Sequence, residues 1–157
     1  MNKTKLLGIL CTLIFVRCSN FENKNNYENK LKNPEFFQEA IQNLTDIVVY
    51  DIFSPPVATR VYLYPTIAAY EIMAKKYPQE YHTLSGQVKD LKPILSPEND
   101  QVNFNLAALF AFNEVGKKLV FSQDRMDQYL TKFLQKLEDL DVPKSVIKAS
   151  EKYGLNV

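Results

Sequence analysis

At 157 residues and 46% hydrophobic content, the chain is long and apolar enough to bury one core, which excludes wholesale disorder. Four glycines and few alternating β-branched runs argue against an all-β protein. Apolar stripes at helical spacing recur from residue 35 onward, so the expected class is all-α, an irregular bundle of about five helices. The formal charge of +1 conceals a leader with Lys3, Lys5 and Arg17 and no acid; the remainder is slightly acidic without a basic stripe, which speaks against a nucleic-acid partner.

Residues 1–18 read as a signal peptide. Lys3 and Lys5 supply the charged start and Leu6 to Val16 the apolar core, which is shorter than the ~20 apolar residues a spanning helix needs. Cys18, followed by Ser19 and Asn20, resembles a bacterial lipoprotein processing site, although Arg17 stands where a small residue is usual. Lipid attachment at Cys18 is preferred over plain secretion and over a short uncleaved anchor. It implies a membrane partner through the N-terminal lipid and a place in the cell envelope, on the periplasmic or surface side. Cys11 would leave with the signal, so no disulfide is expected and packing must hold the domain. Residues 19–32, SNFENKNNYENKLK, read as a flexible tether, and 33–157 as the helical domain.

Asn33 and Pro34 open the first expected helix, with Phe37, Ala40, Ile41, Leu44, Ile47 and Val48 along one side and an end near Asp51. The stretch DIFSPPVATRVYLYPTIAAYEIMAKK follows. Ser54 is a candidate cap, and Pro55 and Pro56 fit a first turn that needs no N–H donors. Val57, Val61, Tyr64, Ala68 and Ile72 then fall on one face, with Ala58, Tyr62, Ala69 and Met73 as a second stripe, so this reads as the central helix. Pro65 deletes one backbone bond and crowds the Val61 carbonyl, which predicts a kink. Tyr77-Pro78 ends the helix. Between 78 and 99 four breakers, Pro78, Gly86, Pro93 and Pro97, leave room for only a short helical piece around Leu84, Val88 and Leu91. A helix from Asp100 to about Phe121 carries Val102, Leu106, Leu109, Phe110, Phe112, Val115 and Leu119. Ser122 caps the next, whose apolar face is Met126, Tyr129, Leu130, Phe133, Leu134 and Leu137. A last helix begins near Pro143, with Gly154 expected as the left-handed residue after its end.

The run SPPVATRVYLYPTIAAYE resembles the N-terminal helical signature of bacterial vanadium-dependent haloperoxidases and related type 2 phosphatidic acid phosphatases. The matching positions are Ser54, Pro55, Pro56, Arg60, Tyr64, Ala68, Ala69, Tyr70 and Glu71. A fainter likeness runs through YHTLSGQVKDL to Ser150, Tyr153 and Gly154, so that about residues 35–157 are covered. The resemblance implies a scaffold. The similar enzymes hold vanadate or a phosphoryl group with a Lys, two Arg, a Ser-Gly-His element and further histidine. Here His82 is the single histidine, Arg60 and Arg125 are the arginines after the leader, and Ser85-Gly86 is followed by Gln87. No catalytic residue, metal ligand or cofactor is therefore expected. The expected function is an exported, lipid-anchored helical scaffold fragment, inactive alone. The alternatives are half of a split enzyme completed by a separate C-terminal chain, and a helical binding lipoprotein of the cell envelope.

Read singly, the remaining candidates favour structural roles. His82 reads as a loop histidine without a catalytic partner, and Arg60 as an ion-pair partner of Asp51 or Glu71 in preference to a ligand contact. Asp124 with Asp127, and Glu138 with Asp139 and Asp141, read as helix-end and surface charge, and Tyr62, Tyr64 and Tyr70 as packing. An uncovered stripe, along Tyr62, Ala69 and Met73 or along Phe104, Ala108 and Phe112, is expected to drive self-association or pairing with a C-terminal half.

Overall fold

The computed structural model describes residues 27–156, so Cys18, the signal-peptide reading and the first part of the tether lie outside the described residues. Within the stretch read as tether, residues 27–30 make one helical turn, closed by the Leu31 N–H on the Tyr27 carbonyl at 2.9 Å. The body that begins at Pro34 contains α1 (Glu35–Tyr50), α2 (Pro55–Lys76), α3 (Phe104–Leu119), α4 (Gln123–Asp139) and α5 (Lys144–Gly154). There is no β-strand among the described residues, and the chain is an all-α bundle.

The enclosed helix is α3. Residues 106–113 are buried without interruption and Gly116 follows, which means neighbours on every side of that segment. Three of its buried positions, Ala107, Ala108 and Ala111, are small, so adjoining backbones can come close. The helix that starts at Ser54 packs along α3 for much of its length and buries Val61, Pro65, Ala68, Ala69 and Ile72. Pro65 lies inside this helix, and its ring faces the flat spot left by Gly116 of α3. The α5 helix covers a second side of α3, and α1 and α4 close the rest.

Several faces differ in detail from the periodic reading. In α1 the buried aromatic is Phe36, edge-on to Phe133 at 5.9 Å, while Phe37 is half-buried against Phe112 and Ile41 is exposed. Two adjacent aromatics leave a one-residue ambiguity that periodicity alone does not resolve. In α2, Val57 and Tyr64 are exposed although they recur at helical spacing with Val61 and Ala68. The stripes expected to remain open are mostly closed: Ala69, Ala108 and Phe112 are all buried.

The caps also differ. Ser54 makes no side-chain cap bond; its carbonyl takes the Val57 and Ala58 N–H groups, while Pro55 and Pro56 have no donor to satisfy. The first helix is entered from Pro34, whose carbonyl accepts from Phe37 and Gln38. The α3 helix starts at Phe104, not Asp100, because Asn103 Oδ1 accepts from the Leu106 N–H at 3.0 Å. Around Leu84 the expected helical piece is reduced to a turn, with Gln87 and Val88 N–H on the Leu84 carbonyl.

The α1–α2 link is strained in a specific way. Ile52 has φ +54° and is 88% exposed, in a left-handed conformation that a β-branched residue rarely adopts. It is held there by its own N–H on the Val49 carbonyl and by the Phe53 N–H on the Val48 carbonyl, the paired bonds that end a helix before a glycine. The end of α4 repeats the geometry with Asp141 at φ +58° and Val142 N–H on Leu137, using a residue type better suited to it.

Gly154 does not serve as a left-handed terminator. It is the last residue of α5, and a Cβ built on it would lie 2.5 Å from the Ala107 carbonyl oxygen and 2.9 Å from Phe110 Cβ. It is therefore the point where the α5 backbone rests on α3. Gly154→Ala should cost about 2 kcal/mol, because backbone must move to admit the methyl group. Gly116→Ala should be tolerated within about 1 kcal/mol, since its tightest neighbour is the flexible end of Met126 at 3.3 Å and alanine is the better helix former. Urea unfolding of the two variants reads this contrast directly.

Candidate functional site

The motif of α2 divides into an inward and an outward half. Ala68 and Ala69 are buried where α2 runs along α3. Tyr70 donates its hydroxyl to the His82 carbonyl at 2.8 Å. Glu71 is 2% exposed; its Oε1 accepts from the Leu84 N–H at 2.7 Å and its Oε2 from the Thr83 hydroxyl. Buried carboxylates are normally paired with a cation or given several donors. This one takes donors from the loop that follows α2, so Tyr70 and Glu71 hold the start of the 78–99 segment against their own helix. The sequence reading missed this role because a single acid in a helix carries no periodic signal of burial.

The outward half is Ser54, Pro55, Pro56, Arg60 and Tyr64, all exposed. The ion pair expected for Arg60 does not form with either candidate acid. Glu71 is engaged as described, and Asp51 accepts from the Phe121 N–H at 2.8 Å, the Ser122 N–H at 3.1 Å and the Ser122 hydroxyl. Ser122 thus gives its hydroxyl to Asp51 instead of capping α4, and Asp51 ties the α1–α2 link to the α3–α4 link.

The end of the chain shows the same inward logic. Ser150, fully buried, accepts from the Asn103 N–H at 2.9 Å and so completes the start of α3. Tyr153 donates to the Leu95 carbonyl at 2.8 Å and meets Phe104 edge-on at 5.7 Å. Burial pushes its hydroxyl above the usual phenol range. With Gly154, these three residues are the seat of α5 on α3.

The paired acids are surface charge, as expected. Asp127 pairs with Lys117, Glu138 with Lys144 at 3.5 Å, and Asp139 accepts from Gln135. No group of three or more metal-ligating side chains occurs among the described residues. No helix among them is long and apolar enough to cross a membrane.

An oxyanion would need several cations and donors converging on one place. His82 is exposed and borders a cavity of about 250 Å³ that is also lined by the Glu71 carboxylate and by Lys75. Arg125 lies over the Tyr50 ring at 3.6 Å, and Arg60 is on the open side of α2. A second cavity, of about 420 Å³, has Lys152 on its wall, and that ammonium faces Glu98 at 3.8 Å. Each of these two cavities has an acidic as well as a basic residue on its wall, so neither presents a purely cationic lining.

No family model and no curated protein matches the sequence. Among solved structures, a bacterial vanadium-dependent iodoperoxidase matches with a TM-score of 0.72 and 38% identity over 78% of this chain. The fold is haloperoxidase-like. The chain spans 30% of the length of that iodoperoxidase.

Asp51 gives the site a pH signature. Burial raises its carboxyl, but the hydrogen bonds from Ser122 and Phe121, together with the charge of Arg125, outweigh this and hold it below the ordinary carboxylate range. A carboxyl depressed on folding contributes stability above its unfolded pKa, near 3.9, and that contribution is lost as pH falls through the folded value. Asp51→Asn should therefore cost about 1 kcal/mol at pH 7 and progressively less below about pH 4. Paired denaturation curves at pH 7 and pH 3 measure the difference.

Proposed function

We propose that this chain is the N-terminal helical scaffold of a vanadium-haloperoxidase-like protein, exported and held at the cell envelope by a lipid on Cys18. Its own residues do not perform oxyanion chemistry. The observation that supports this most is the 38% identity over 78% of the chain with an iodoperoxidase of which it spans 30%. The motif supports it further, since Ala68, Ala69, Tyr70 and Glu71 all serve to build the α2–α3 wall and fix the following loop. The cations that could stabilise a vanadate or phosphoryl group are dispersed over α2, α4 and the 78–99 loop, each in different company. Residues outside this stretch would bring the reactive site, in the same polypeptide or in a separate one. The open side of α2 is a place where such residues could pack in either arrangement.

The full chain, purified and supplied with vanadate, iodide and peroxide, should give no oxidised iodine above the protein-free rate, and ⁵¹V NMR should show no bound vanadate. Turnover that disappears in both His82→Ala and Arg60→Ala would refute the scaffold reading. For the anchor, a fatty-acid probe fed to expressing cells should label the protein and fail to label Cys18→Ser. Equal labelling of the two would remove Cys18 as the attachment point.

A further inference from the structure

The outer side of α2 is closed along one half and open along the other. Pro56, Arg60, Leu63 and Ile67 follow one another at steps of four, three and four, which at 100° per residue keeps them within a window of about 60°. Continued by the same steps, the line reaches Glu71 and Ala74, which are buried under the segment that carries Thr83, Leu84, Pro93 and Ile94. Before Glu71 the cover thins: Ile67 is half-buried and the row positions before it are open. Leu63 is 49% exposed and Tyr64, at the edge of the line, 46%. The open part spans about 18 Å, three turns of helix, and its row of apolar residues is what a core-facing helix presents.

Arg60 sits in the middle of this row with the acids nearest in sequence committed elsewhere, Asp51 to Ser122 and Phe121 and Glu71 to Thr83 and Leu84. Any element laid along the row desolvates the guanidinium, and a carboxylate is the partner that best offsets this. The same row on a second copy of this chain offers none. Pairing the row with itself, parallel or antiparallel, brings two Arg60 side chains within about one turn of each other and adds no acid. The iodoperoxidase match supplies the other argument, because most of that fold is built from residues this chain does not span.

We infer that the row Pro56, Arg60, Leu63 and Ile67 receives an apolar helix with a carboxylate facing Arg60, contributed by the part of a haloperoxidase-like fold that lies outside these residues. The inference rests on the scaffold reading and adds the surface through which the scaffold is used.

The test compares one set of substitutions in two settings. The first is the full chain alone. The second is the iodoperoxidase with the segment that this chain matches replaced by residues 34–156. Leu63→Glu and Arg60→Glu should each lower the melting temperature of the graft by about 5 °C and move the full chain by less than about 1 °C. Thr66→Glu, exposed and off the row, should move neither. A graft that folds and is indifferent to Leu63→Glu and Arg60→Glu overturns this surface and leaves the scaffold reading standing. A graft that fails to fold with the unsubstituted segment overturns the scaffold reading, and the inference with it. Equal destabilisation of the full chain would assign the row to the chain's own folding. A full-chain dimer by light scattering that Leu63→Glu dissociates would make a second copy the occupant. Either result overturns the inference.

Discussion

Everything in this domain is arranged to keep α3 dry. A helix buried over eight consecutive residues has no solvent side, so its neighbours must come from all directions and come close. The alanines at 107, 108 and 111 make that approach possible, and Gly154 and Gly116 receive it from either end. Gly154 admits the α3 carbonyl at Ala107, and Gly116 leaves a flat place for the ring of Pro65. The proline that would be expected to damage α2 thus occupies a position where its bulk fills space that a longer side chain on α3 would have taken.

The polar groups near this core follow from the same requirement. Enclosing α3 brings loops against helix ends, and each such meeting has to satisfy backbone donors. Glu71 does this for Leu84, Asp51 for Phe121 and Ser122, and Ser150 for Asn103. Each of these acceptors is engaged by a backbone donor of a distant segment. The motif residues therefore divide by energetic role, the inner ones holding this domain together and the outer ones facing away from it.

How far this could be read from sequence depended on the range of the interaction. Local signals were legible: the Ser54-Pro55-Pro56 start, the stop at Tyr77-Pro78, and the α4 face of Met126, Phe133 and Leu137 all lie where spacing and turn chemistry place them. The haloperoxidase resemblance was legible in the α2 run, and the iodoperoxidase match agrees with it. What spacing could not decide was which of two adjacent apolar rows meets the core, hence Phe36 in place of Phe37 and an open Tyr64. Contacts between distant positions were invisible. Asp51 looked like a partner for nearby Arg60 because nothing in the sequence announces that a serine 71 positions later needs it more. Gly154 looked like a terminator because its neighbour, the Ala107 carbonyl, belongs to another helix.

The Asp51 contacts bear on the order of events as the chain folds. Their donors lie 70 and 71 positions downstream, so the acceptor is in place long before Phe121 and Ser122 exist to use it on a chain made from its N-terminus. Until α3 has docked, the turn after α1 has only its two backbone bonds to keep Ile52 in its left-handed geometry. Closing a loop of that length carries an entropic cost that must be met before the contact repays it. The first two helices should then remain a loose hairpin until the second half of the chain arrives, and the step that sets the α1–α2 angle belongs late in assembly. A chain interrupted between α2 and α3 would present that hairpin unlatched, with its apolar faces in water, which is the kind of species that chaperones and proteases intercept.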